Sequence, residues 1–248
     1  MSTQGDAPGT EPAPAGPLLR DERRPRREVR SYARRGSRFS PSQRAAWDAH
    51  HRDWVIPEQA LDQLGTDGAA LAAWFGRSAP LVVEIGSGVG EATAALGAAR
   101  PEDDVLALEV WRPGIAASLA EVARHGARNV RFCSVDAAWG LGHLVGSGGL
   151  AELWTFFPDP WPKTRHHKRR LVRPEFAALA ADRLAPGACW RLATDWEDYA
   201  EQMVAVLDAQ PGLVGGAVER WADRPVTKFE RKGLAAGRPI TDLTYRRR

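Results

Sequence analysis

Only two cysteines, Cys133 and Cys189, occur in 248 residues, and both stand in apolar-leaning runs. That excludes a disulfide framework and a cysteine-rich zinc site. His166 and His167 are adjacent and have no partner at ligand spacing, so no metal is expected. No apolar run approaches the roughly 18 residues of a membrane span, and the N-terminus lacks the compact apolar stretch of a signal peptide. These absences point to a soluble, cytoplasmic protein. No internal repeat is visible. Net charge is also small: 34 Lys and Arg oppose 31 Asp and Glu, leaving +3. The total therefore does not mark a nucleic-acid binder, and the distribution has to decide.

The distribution is uneven. Residues 1–19 are Ala, Pro, Gly and small polar residues, which bury little and predict a disordered tail. From Arg20 to Arg38, nine arginines face three acids, about twice the net charge of the whole chain. Such an arm suits phosphate contact, each guanidinium offering a rigid donor fork. The segment after Ser40 reads as a helix, with Trp47 and Trp54 as packing anchors that attach the arm to the main domain. Residues 20–79 are taken as a basic arm and helical extension, and 80–248 as the main domain.

From Pro80 the pattern alternates. Strands are predicted at 81–85, 105–110, 130–135, 151–157 and 189–193, and helices at 90–99, 113–124, 174–184 and 196–207. Residues 240–245 are expected to add an edge strand. This alternation indicates βαβ units and a doubly wound, mostly parallel α/β sheet.

The first strand runs into Val83-Glu84-Ile85-Gly86-Ser87-Gly88-Val89-Gly90. Glycines after a strand allow a tight turn and close approach of backbone to a ligand. A dinucleotide pattern needs a further glycine at 91, where Glu91 stands. Glu84 would repel a diphosphate but suits a cationic ligand. Glu109 ends the second strand, where a carboxylate can accept both ribose hydroxyls. Asp136 follows the third strand and can accept an adenine amino group. Together these acids favour an adenosyl ligand without phosphates.

The fourth strand runs into Phe156-Phe157-Pro158-Asp159-Pro160-Trp161-Pro162-Lys163, with three prolines in five residues. Regular structure must stop there, which places Asp159 on a rigid loop at the edge where open α/β sheets bind ligands. Lys163 to Arg173 then carries six Lys or Arg, two His and no acid, which points to phosphate-backbone contact.

The stretch FFPDPWPKTRHHKRRLV, together with VEIGSGVGE, LATDWEDYA and TKFERKG, closely resembles bacterial tRNA (guanine-N7-)-methyltransferases over roughly residues 30–248. The resemblance implies a class I S-adenosylmethionine-dependent methyltransferase fold. It also implies methyl transfer from S-adenosylmethionine to guanine N7 of tRNA, at position 46. It associates Glu84, Glu109, Asp136 and Asp159 with the methyl donor, alongside the turn glycines Gly86, Gly88 and Gly90, and it places the catalytic site at Asp159. Lys163, Asp195, Thr227, Lys228, Phe229 and Glu230 match positions for RNA substrate binding. Two places depart from the family pattern: Gly36-Ser37 replaces its usual Gln-Gly, and Pro162 stands where histidine is common.

Locally, Asp195 or Thr194 can also cap the following helix, and Thr227 to Glu230 can be a strand or turn. Methylation of another RNA atom or of a small molecule, a non-catalytic RNA-binding protein and a dehydrogenase are the alternatives. A monomer without an obligate protein partner is expected, with a dimer left open.

Overall fold

The computed structural model of the protein describes residues 31–32 and 36–248. The tail at 1–19 and most of the basic arm lie outside the described residues.

Apolar β-branched runs form the first strands. β1 (Leu81–Ile85), β2 (Asp104–Leu108), β3 (Val130–Cys133) and β4 (Leu150–Phe156) pair in parallel, as does β5 (Leu184–Thr194) with β4. The sheet order is β3-β2-β1-β4-β5-β7-β6. Both faces are covered, which is why these strands read as continuous apolar runs. Helices α4 (Glu91–Ala99) and α5 (Arg112–His125) cover one face, where Leu96, Ile115 and Leu119 meet Val82, Val105 and Trp154. On the other face, α6 (Ala137–Leu144), α7 (Pro174–Arg183) and α8 (Glu197–Asp208) bury Leu141, Phe176 and Met203 against Val83, Leu106 and Leu192.

The helix predicted after Ser40 is α1 (Pro41–Trp54). Ser40 and Gln43 form a reciprocal cap, satisfying two orphan N–H groups, with proline at the first position. Trp47 and Trp54 pack against the α4/α5 side of the core. Two short helices not foreseen, α2 (Glu58–Leu64) and α3 (Gly68–Phe75), bury Leu61, Leu64 and Leu71. A last helix, α9 (Lys228–Ala235), starts at an N-cap on Thr227, so this segment is neither strand nor turn.

The C-terminal strand is not an edge strand. β7 (Thr241–Arg247) lies inside the sheet, antiparallel to β5 on one side and to β6 (Leu213–Val218) on the other. β6 is the true edge, and its Gly215-Gly216 pair concealed it. Thr244 O lies 2.1 Å from where a Cβ on Gly215 would sit, so only glycine lets the two strands approach here. No helix among the described residues is long and apolar enough to cross a membrane.

Candidate active site

The glycine turn after β1 is held from several sides. Gly86 and Gly88 have φ of 76° and 60°, a region that glycine enters without steric cost. Gly88 N–H donates to Glu109 Oε2 at 2.9 Å, and Trp111 N–H donates to Glu109 Oε1 at 2.7 Å. The carbonyl of Gly88 lies 2.3 Å from where a Cβ on Gly114 would be, so α5 approaches the turn only because position 114 is glycine. Gly90, the N-cap of α4, faces Ser118 in the same way, at 2.5 Å from Cβ to Cβ; it closes the turn against α5 and does not line the cavity.

An open cleft lies above this turn, at the carboxyl ends of β1, β2 and β4. Open α/β sheets bind ligands at that edge, where the strand order reverses between β1 and β4. Glu84, Gly86, Gly88, Glu109 and Asp159 all line it, as do Thr227 and Phe229 from the far end of the chain. Apolar walls come from Ile85, Leu108, Val135 and Phe156. Four of the lining residues are carboxylates (Glu84, Glu91, Glu109, Asp159), and among the described residues none is Lys or Arg. Such a lining repels nucleotide phosphates and attracts a cation. It fits the adenosyl donor inferred from the sequence and disfavours a dinucleotide or ATP.

Glu84 is 2% exposed and accepts a hydrogen bond from the Thr93 hydroxyl. Burial, opposed by that bond and reinforced by the charge of Glu109, pushes its pKa up to about 7. A cation entering the cleft would offset that burial penalty and favour the carboxylate. Asp136 is the N-cap of α6, its Oδ1 accepting from Ala138 N and Trp139 N at 2.9 and 3.2 Å. Its neighbours Val135 and Ala137, not Asp136 itself, form the cleft wall.

The proline loop is rigid for reasons beyond proline. Phe157 and Trp161 adopt φ of 52° and 47°, unusual for side chains of that size and held there by the surroundings. Phe157 N–H donates to Ala193 O at 2.8 Å. Arg170, 1% exposed, donates to Pro160 O at 2.9 Å and to both carboxylate oxygens of Asp198 at 2.9 and 2.8 Å. This corrects the expectation of one phosphate-facing basic stretch. Arg170 turns inward and fixes the loop that carries Asp159, and Arg169 lies over the Trp161 ring at 4.0 Å. Lys163, Arg165 and Lys168 remain exposed on and beside the 3-10 turn Thr164–Arg169.

The remaining sites separate. Lys163 stands at the solvent edge, outside the cleft. Asp195 caps no helix: the N-cap of α8 is Trp196, while Asp195 pairs with Arg238 at 2.7 Å and touches the face of α9 at Gly233. Lys228 and Phe229 are exposed, with the Phe229 ring in front of Gly88. Glu230 is 2% exposed and held by Arg220 at 2.9 Å and Arg224 at 2.6 Å; Arg224 also reaches Asp242 at 2.9 Å. Burial raises its pKa, but the Arg220 hydrogen bond and the charges of Arg224 and Arg220 outweigh that and hold it below the ordinary value.

Several contributors were not anticipated from the sequence. Ser31 and Tyr32 of the arm line the cleft, and two indoles hold the arm's backbone: Trp161 Nε1–H donates to Ser31 O at 3.1 Å and Trp111 Nε1–H to Gly36 O at 2.8 Å. Glu91 was legible only as a departure from a glycine pattern, and Arg224 carried no signal. Among the described residues, no three His, Cys, Asp or Glu side chains gather to hold a metal.

A family model described as "Putative methyltransferase" matches residues 78–243. A tRNA (guanine-N(7)-)-methyltransferase of Nocardioides sp. (strain ATCC BAA-499 / JS614) is 63% identical over 241 residues, 97% of this chain and 96% of that one. One of Cutibacterium acnes is 49% identical over 234 residues, 90% of this chain and 85% of that one. Among solved structures, the 16S rRNA methyltransferase KamB superposes with a TM-score of 0.53 at 20% identity, covering 73% of this chain and 94% of that chain, a likeness of fold alone.

Proposed function

The chain belongs to the tRNA (guanine-N(7)-)-methyltransferase family, and from that premise we propose that its acid-lined cleft transfers a methyl group from S-adenosylmethionine to N7 of guanine at position 46 of tRNA. The observation that carries this reading is the cleft itself. It has four carboxylates and no basic side chain among the described residues, at the ligand edge of the sheet, with exposed lysines and arginines outside it.

The donor supplies an electrophilic methyl group. Glu84 and Glu109 hold it: Glu84 offers a buried carboxylate to its cationic end, and Glu109, its oxygens oriented by main-chain N–H groups, accepts from the ribose hydroxyls. The turn at Gly86 and Gly88 lets the backbone approach closely, and Asp136, between two residues of the wall, serves the adenine end. Guanine N7 carries a lone pair and no proton, so no general base is required. The protein's tasks are alignment and electrostatics. Asp159, fixed on its proline loop, accepts N–H groups of the guanine and stabilises the positive charge that develops on the ring.

Lys163, Arg165 and Lys168 contact the tRNA backbone, and Thr227 and Phe229 form the wall against which the base rests. Asp195 and Glu230 serve that wall from behind. The arginines of the basic arm at 20–38 add phosphate contacts, the division into arm, extension (to 79) and main domain (80–248) being part of the same reading. The protein acts in the cytoplasm, as a monomer. A tRNA transcript with guanine at 46 is expected to take up labelled methyl, and the same transcript with adenine there is not; equal labelling of both would refute the position.

A further inference from the structure

Glu91 opens α4 directly after the glycine turn and lines the cleft. Its carboxylate also reaches a segment 137 residues further along the chain. It accepts the main-chain N–H of Lys228, the first residue of α9, and pairs with Arg231 at 2.9 Å. Lys228 is flanked by Thr227, the N-cap of α9, and Phe229, both of which line the cleft. From behind, α9 is seated on β7 through Glu230, Arg224 and Asp242, and at its C-terminal side by Arg238 on Asp195. Glu91 ties the front of α9 to the donor side of the cleft, beside the Phe229 ring in front of Gly88.

We propose that Glu91 is a positioning residue: it holds Thr227 and Phe229 at the mouth of the cleft, so that the wall for the base and the turn for the donor keep a fixed separation. This rests on the methyl-transfer reading above. The first N–H groups of a helix have no partner within it, and a carboxylate placed there satisfies one and complements the helix dipole. With Glu91 29% and Arg231 55% exposed, the ion pair alone is worth little. The bond to the Lys228 N–H is charge-assisted and of greater weight. A separation set wrongly by even a fraction of an ångström slows transfer, since the reacting atoms must be in line.

The test uses the full chain with unmodified tRNA, in wild type, Glu91→Ala, Glu91→Gln, Arg231→Ala and the Glu91→Ala/Arg231→Ala pair, with kcat and KM for tRNA measured separately. The expected loss in kcat/KM is about tenfold for Glu91→Ala and about threefold for Glu91→Gln, which keeps an acceptor for the N–H, and for Arg231→Ala. The double variant is expected to be no worse than Glu91→Ala, because both substitutions remove parts of one contact. Additive losses, or a Glu91→Ala enzyme within about twofold of wild type, overturn the proposal. Should Glu91→Ala fail to fold, the Gln and Arg231 variants carry the same comparison. A wild-type protein that forms no 7-methylguanosine overturns the methyl-transfer reading, whereas an active wild type with indifferent variants overturns only the role of Glu91.

Discussion

Glu84 and Glu109 on the donor side are held by different kinds of partner from Glu230 and Asp195 on the α9 side, while Glu91 bridges the two sides. On the donor side, Glu84 takes a hydroxyl hydrogen bond and Glu109 takes main-chain N–H groups. On the α9 side, Glu230 is held by two arginines and Asp195 by one. A neutral donor brings no opposing charge to a carboxylate, whereas a guanidinium group does. Burial pushes Glu84 up to about 7 against its Thr93 bond, while at Glu230 the arginines outweigh burial and hold it below its ordinary value. Acids that look equivalent in the sequence therefore divide into those proposed to meet the ligand and those that frame the wall beside it.

The largest expected effect lies on the framing side. Arg224→Met leaves the buried Asp242 without its guanidinium and Glu230 with Arg220 alone, and should cost about 3–5 kcal/mol in chemical denaturation; a loss below about 1 kcal/mol would mean the network is not part of the frame. Next comes Asp159→Asn, expected to slow single-turnover methylation by about a hundredfold while the denaturation midpoint holds. A variant with near-normal turnover would remove Asp159 from the chemistry.

Smaller and opposite in sign is the effect of Glu84. Its pKa in the folded donor-free protein, about 7, lies above the ordinary 4.5, so the folded state binds more protons than the unfolded state between those values. The contribution to stability is full below pH 4.5 and is lost as pH rises through about 7. Donor affinity should move the other way, rising across the same window, because a cationic ligand prefers the carboxylate. Glu84→Gln should flatten both profiles; calorimetric titration and thermal unfolding at several pH values read them. The smallest effect belongs to Lys163→Ala, a severalfold loss of tRNA affinity with the salt slope reduced by about one. An unchanged slope would place Lys163 away from phosphate.

The parallel strands and four of their helices were legible because continuous apolar runs alternate with helical periodicity; α6, short and with two glycines in eight residues, was not. β6 was not: Leu213–Val218 is mostly exposed, contains two glycines and pairs with a strand later in sequence. With β6 unseen, β7 had to look like an edge. Within the site, Glu84, Gly86, Gly88, Glu109 and Asp159 were readable because each follows or ends a strand at the ligand edge. The framing role of Glu230 was not, because it depends on Arg220 and Arg224 folding back over it from the loop after β6. The inward turn of Arg170 was hidden for the same reason: its partner Asp198 lies 28 residues away in α8.

The most direct measurement is nucleoside analysis after incubating the purified chain with labelled S-adenosylmethionine and unmodified tRNA. Label recovered as 7-methylguanosine is the expected result, with the yield collapsing in Asp159→Asn. Label in a different nucleoside, or none despite demonstrated tRNA binding, would contradict guanine-N7 methylation at this cleft.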